Sequence, residues 1–137
     1  MVWTPNRILA MAVGVIFLLV GLAGLFFNPS GLNMHGWNLL GFDVDIVHNI
    51  IHLATGILGI AAALTGRSRL FNQVFGVVYL LVAIIGFIPG LNNINGLYLG
   101  IMHVNAADDI LHLVVGAACA YVGFFVLDVM RTTPTTS

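Results

Sequence analysis

Of the 137 residues, 60% are hydrophobic and 7% are charged, and the mean hydropathy is +1.07. A soluble domain carries about a quarter charged residues, and one this small leaves much of its surface in water, so the solvent around this chain is expected to be the lipid bilayer. Four Arg without Lys, set against five Asp without Glu, give a formal charge of -1, which offers no basic field to nucleic acid and excludes that partner.

A bilayer core of about 30 Å takes about 20 apolar residues per spanning helix. Four stretches meet that length, at about 8–27, 46–64, 70–88 and 106–129. They predict an all-α fold, a transmembrane four-helix bundle in a single domain over 1–130, with a disordered tail over 131–137. The first span follows Arg7 and closes at Pro29 and Ser30. It starts as a signal peptide would, but its length and its later echo make it a retained span. The loop after it holds Met34-His35 and Trp37. The second span opens behind Asp45, carries His48, Asn49 and His52, and ends in a turn over 66–68. The third starts beside Arg69 and stops at Pro89 and Gly90, breakers expected at a helix end. The next loop contains Asn92, Asn93 and Asn95, which suit turns, and Met102-His103. The fourth span opens behind Asn105 and carries Asp108, Asp109, His112 and Cys119. Cys119 is the sole cysteine and is expected to serve packing.

Arg7, Arg67, Arg69 and Arg131 all fall on one side of this map. The positive-inside rule then places both termini and the middle turn in the cytoplasm, in a bacterial inner membrane, with the other two loops outside. Trp3, Trp37 and Tyr98 are expected at the interfaces. The loop pairs Met34-His35 and Met102-His103 combine residue types that bind copper.

The chain repeats itself. Arg7-Ile-Leu, Gly14-Val-Ile-Phe-Leu-Leu-Val and Gly24 recur as Arg69-Leu-Phe, Gly76-Val-Val-Tyr-Leu-Leu-Val and Gly86, an offset of 62. Asp45-Ile-Val-His48-Asn49-Ile-Ile-His52 through Gly56 recurs as Asn105-Ala-Ala-Asp108-Asp109-Ile-Leu-His112 through Gly116, an offset of 60. Two tandem two-helix repeats, at about 7–66 and 69–128, share one orientation, so their pseudo-twofold axis runs along the membrane normal. Gly56 and Gly59 on the second span and Gly116 on the fourth predict a seam of small residues joining those two spans.

Ionisable groups inside a membrane cost about 2.5–3.5 kcal/mol each at its centre, and mark candidate sites. His48 and His52 are one helical turn apart and share a face, with Asp45 a turn nearer the loop; Asp108 and His112 share the matching face of the fourth span. The axis brings both faces together. Imidazole suits transition metals such as Zn, Cu or Fe, so His48, His52, Asp108 and His112 are the candidate ligands, with Asp45 and Asp109 nearby. A structural explanation stands beside this one. Asp45 and Asn105 sit where N-caps belong, Asp108 completes a capping box, and acidic groups in a first turn are favoured by the helix dipole. The remaining imidazoles would then only bond across the seam, and a third use of the same groups is a short proton relay. Paired histidines on neighbouring helices also match bis-imidazole haem or chlorophyll ligation, although contacting helices about 8–10 Å apart leave no room for a macrocycle.

The stretches His48-Asn49-Ile-Ile-His52-Leu and Asn105-Ala-Ala-Asp108-Asp109-Ile-Leu-His112-Leu resemble those of a domain-of-unknown-function family of small bacterial integral membrane proteins. Its members carry HNxxHL on the second span and NxxDNxLHL on the fourth. The resemblance runs over about 7–127, implies four spans, and points to His48, Asn49, His52, Asn105, Asp108 and His112. At Asp109 the chain departs from the family's usual Asn. The resemblance supplies no activity.

No Ser/His/Asp set, phosphate loop or CxxC is present. The leading expectation is therefore a small, non-catalytic structural or accessory membrane protein, alone or within a homo-oligomer or larger membrane complex. A metal or tetrapyrrole binder is the alternative, and a proton-coupled enzyme or transporter comes third.

Overall fold

The computed structural model describes residues 2–28 and 36–128. Four helices, α1 (Pro5–Phe26), α2 (Ile46–Thr65), α3 (Ser68–Gly86) and α4 (Ala106–Phe125), make up most of it. All four are long and apolar enough to cross a membrane.

Their ends follow local chemistry. Thr4 caps α1 by accepting from the Arg7 amide, with Pro5 in the first turn, where its missing N–H costs nothing. Asp45 caps α2, which stops on Gly66 at φ 78°, the left-handed conformation glycine adopts without strain. Asn105 and Asp108 form the expected capping box of α4. That helix stops at Phe125 rather than near 129. Val126 is extended (φ -98°, ψ 115°), and its carbonyl accepts from Asn6 Nδ2 at 3.1 Å. The loop between α1 and α2 holds an unforeseen hairpin, β1 (Trp37–Leu39) paired antiparallel with β2 (Phe42–Val44). Leu40 and Gly41 turn it with φ of 54° and 101°, the double positive φ of a tight two-residue turn.

The two halves fold alike, as tandem repeats. α1 pairs with α2 and α3 with α4 along nearly their whole length, α1 packs on α3 through the middle, and α2 and α4 have almost no backbone contact. The predicted glycine seam is therefore wrong in its partners. Gly56 and Gly59 lie against α1: a Cβ on Gly56 would come within 2.5 Å of the Leu18 nitrogen, and one on Gly59 within 2.9 Å of the Gly14 Cα. Gly116 lies against α3, where a Cβ would meet the Leu80 nitrogen at 2.8 Å. Close approach of small residues does drive association in lipid, but here it closes each hairpin on itself. The middle is filled by Val13, Phe17, Phe75, Tyr79 and Cys119.

At the arginine-bearing end the repeat is visible in hydrogen bonds. Arg7 Nε donates to the Ala63 carbonyl at 2.5 Å, and Arg69 Nε donates to the Gly123 carbonyl at 3.1 Å. Each cation thus neutralises the negative end of its partner helix. Buried Asn72 donates to the carbonyl and side chain of buried Asn6, both at 3.0 Å, and so joins the two hairpins.

Candidate metal centre

The opposite end is where the polar groups converge. Asp45 Oδ1 accepts from the His48 amide at 2.8 Å, and its Oδ2 accepts from the His103 amide at 2.7 Å. In the second hairpin Asp108 Oδ2 accepts from the Asn105 amide at 2.9 Å and from the Asp43 amide at 3.1 Å. Residue 103 corresponds to 43 under the offset of 60, so each hairpin's carboxylate grips the strand or loop that leads into the other's helix. Asn105 Nδ2 adds a bond to the Gly41 carbonyl at 2.9 Å. These groups act as caps and as a clasp between the halves. Buried amides and carboxylates need such partners, and the cap spacing in the sequence already pointed to them.

Beneath the clasp, three imidazoles meet. His48, His52 and His112 are all buried, and their ring centroids lie 4.4 Å (48 to 52), 6.0 Å (48 to 112) and 6.3 Å (52 to 112) apart. One ring nitrogen from each lies within 4.8 Å of the other two. The spacing of four residues along α2 puts two of these rings on one face, and the pseudo-twofold axis brings the third from α4 although the helices themselves stay apart. Asp108 stands outside the triad, its Oδ2 engaged by two amides.

The proton on His48 can be placed. Its Nδ1 lies 3.1 Å from the Asp43 carbonyl and 3.0 Å from the His103 carbonyl. Both partners are acceptors, so Nδ1 carries a hydrogen, which in the neutral ring leaves the lone pair on Nε2. That Nε2 is buried without a hydrogen-bond partner, as are both ring nitrogens of His52 and Nδ1 of His112. A backbone carbonyl on one imidazole nitrogen is the usual outer-shell support of a metal ligand bound through the other.

Aromatic rings support the triad from below. Phe17 meets His52 edge-on at 4.9 Å, and Tyr79 meets His112 edge-on at 5.0 Å. Positions 17 and 79 are related by the offset of 62, a signal present in the repeat but not singled out among the candidate residues. The other candidates lie elsewhere. Asn49 packs against Gly24, and Asp109 against Gly86, at equivalent places in the two hairpins. The His103 ring packs on Gly36, and only its backbone serves the site. Tyr98 is no interfacial anchor: it is 2% exposed and donates to the Val82 carbonyl at 2.6 Å. Pro29, Ser30, Met34, His35, Arg131 and the 131–137 tail lie outside the described residues.

A tetrapyrrole does not fit. The imidazoles of residues 52 and 112 are in near contact over Phe17 and Tyr79. The cavity beside them holds about 130 Å³, below the roughly 300–1,000 Å³ of organic-ligand sites. The larger groove, about 580 Å³ between α2 and α3, borders no imidazole. A single ion is another matter. Ligand nitrogens at about 2.1 Å from a tetrahedral ion lie roughly 3.4 Å apart, and those of the triad lie within 4.8 Å of one another.

Residues 7–125 match the model of a family described as a domain of unknown function, DUF4383. The chain belongs to that family. The match covers both hairpins and all three histidines of the triad. No curated protein and no solved structure matches the chain.

Proposed function

We propose that this membrane protein binds one transition-metal ion through His48, His52 and His112. The observation that carries the reading is three buried imidazoles, each with a ring nitrogen within 4.8 Å of the other two, in a cluster where four ring nitrogens are buried without a hydrogen-bond partner. A buried polar atom without a partner costs about 1–3 kcal/mol, and an ion bound by one nitrogen of each ring would relieve up to three of these four. An all-imidazole set suits Zn, Cu, Ni or Fe and disfavours Mg or Ca, which take oxygen ligands. The carbonyl-held Nδ1 of His48 supports the same reading.

The arginines set the orientation we propose. With Arg7, Arg67 and Arg69 at one end, the positive-inside rule makes that end cytoplasmic in a bacterial inner membrane and turns the triad toward the outer face. The test is metal analysis of purified protein after exposure to Zn, Cu, Co and Ni salts. One equivalent of a metal retained through dialysis is expected, and lost when His52 and His112 are both replaced by Ala. Protein that retains none removes the reading.

A second reading has its own observation. Asp45, Asn105 and Asp108 all serve as caps and clasp, and the histidines would extend that clasp in a non-catalytic structural or accessory protein. It requires the double His52→Ala, His112→Ala variant to lose stability without any metal present; unchanged melting of the apo variant removes it.

A further inference from the structure

A small cavity of about 130 Å³ opens beside the triad, between α1, α4 and the β hairpin. Val20, Val44 and Leu111 are among its walls, and its polar lining comes from His52, Asp108 and His112. His48 does not reach it, so the cavity meets the triad from the side of the other two rings.

Three imidazoles leave a tetrahedral ion one position short, and an unfilled fourth position separates reactive metal sites from purely structural ones. The neighbouring donors are engaged or remote. Both oxygens of Asp45 and Oδ2 of Asp108 accept backbone amides. Cys119 and Tyr79 belong to the apolar cluster with Val13 and Phe75. What borders the imidazoles instead is an apolar chamber with space for roughly four waters at about 30 Å³ each. Asp108 borders the same chamber, with its carboxylate held in place through Oδ2 by the Asp43 and Asn105 amides. The larger groove between α2 and α3 runs toward the arginine-bearing end and has no histidine in its lining.

We propose that the fourth position on the ion is open, and that it exchanges with a small ligand of two or three heavy atoms admitted through this cavity. The inference rests on the metal reading above and adds the ligand class and its route. An apolar chamber of this size admits a diatomic or linear triatomic molecule and lies well below the roughly 300–1,000 Å³ of organic-ligand sites.

The test uses the full chain loaded with Co(II), whose visible absorption bands report coordination, and sodium azide as the probe. A saturable change in those bands is expected on adding azide. Val20→Phe, which fills the cavity from α1, should retain cobalt and weaken the azide response at least about tenfold. Leu111→Phe fills it from α4 and gives the same readout should the first variant fail to fold. Cobalt bound with bands indifferent to azide would mean a closed site, overturning this inference while leaving the metal reading intact. An undiminished response in folded, filled variants overturns the route. Failure to bind cobalt, zinc or copper at all overturns both.

Discussion

The two hairpins are one scaffold used twice, and their agreement and disagreement divide packing from chemistry. Gly14 and Gly76 bring backbones together at equivalent places, Arg7 and Arg69 hold equivalent helix ends, and Gly24 and Gly86 face equivalent polar side chains. Those positions match because the close approach of two helices tolerates no alternative. The halves part where the polar cluster lies. His48 stands opposite Asp108, Phe17 opposite Tyr79, and Asp45 opposite Asn105. His52 and His112 are common to both, so a symmetric duplication would give two imidazoles, or four with His at both 48 and 108. The chain has three and a carboxylate. One hairpin contributes the extra imidazole, and the other uses the same place to tie down two amides.

The largest effect should come from erasing that difference. His48→Asp makes the second spans of the two halves alike and removes a ligand. Losing an outer-shell partner alone costs a metal site about 10–100-fold in affinity, so loss of the ligand itself should exceed about 100-fold, read by competition with a chromophoric chelator. Affinity that stays within threefold would show that the asymmetry has nothing to do with metal.

The next effect tests the agreement. Gly14→Leu and Gly76→Leu each drive a side chain into the facing helix, where even a Cβ on Gly14 would lie 2.6 Å from the Ile60 nitrogen. Overpacking costs about 1–3 kcal/mol and sometimes more, so both variants should melt earlier in detergent, by similar amounts. One half tolerating the change would mean that only the other relies on backbone contact.

A loss of stability of similar size, with little effect on metal, is expected from the clasp. Asp45→Ala and Asp108→Ala each free two backbone amides, a cost of about 1–3 kcal/mol, while leaving three imidazoles in place. Metal affinity should stay within about tenfold of the parent in folded protein. A folded Asp108→Ala that no longer binds metal would make Asp108 a ligand after all.

These variants also mark what the residues alone could tell. The triad is legible because a spacing of four puts His48 and His52 on one helix face and an offset of 60 gives His112 the place of His52 in the second copy, so that hairpins folded face to face bring all three together. The capping box at Asn105 and Asp108 is legible for a similar reason, being wholly local. The glycine seam was assigned to the wrong neighbours, since a small residue announces close approach without naming what approaches. The β hairpin stayed hidden behind a Leu40-Gly41 turn that lacks the usual Asn or Asp before its glycine. Nor could the protonation of His48 be read from side-chain types, because two backbone carbonyls decide it.

The connections that carry the halves apart differ too, and Tyr98 tests that difference. The first loop forms a hairpin; the second winds through turns and buries Tyr98, whose hydroxyl donates to the Val82 carbonyl. Burial, reinforced by the charge of Asp109, pushes the phenol up to about 12 from about 10 in an unfolded chain. A raised folded value favours the neutral form, so its contribution is complete below pH about 10 and disappears as the pH climbs toward 12. Tyr98→Phe should cost about 1 kcal/mol at neutral pH for the lost hydrogen bond and flatten the fall in melting temperature between pH 10 and 11.5. Metal binding should not change, because the ring touches none of the three histidines. An alkaline slope equally steep in the Phe variant would assign that slope to another group and leave the Tyr98 hydroxyl with its hydrogen bond alone.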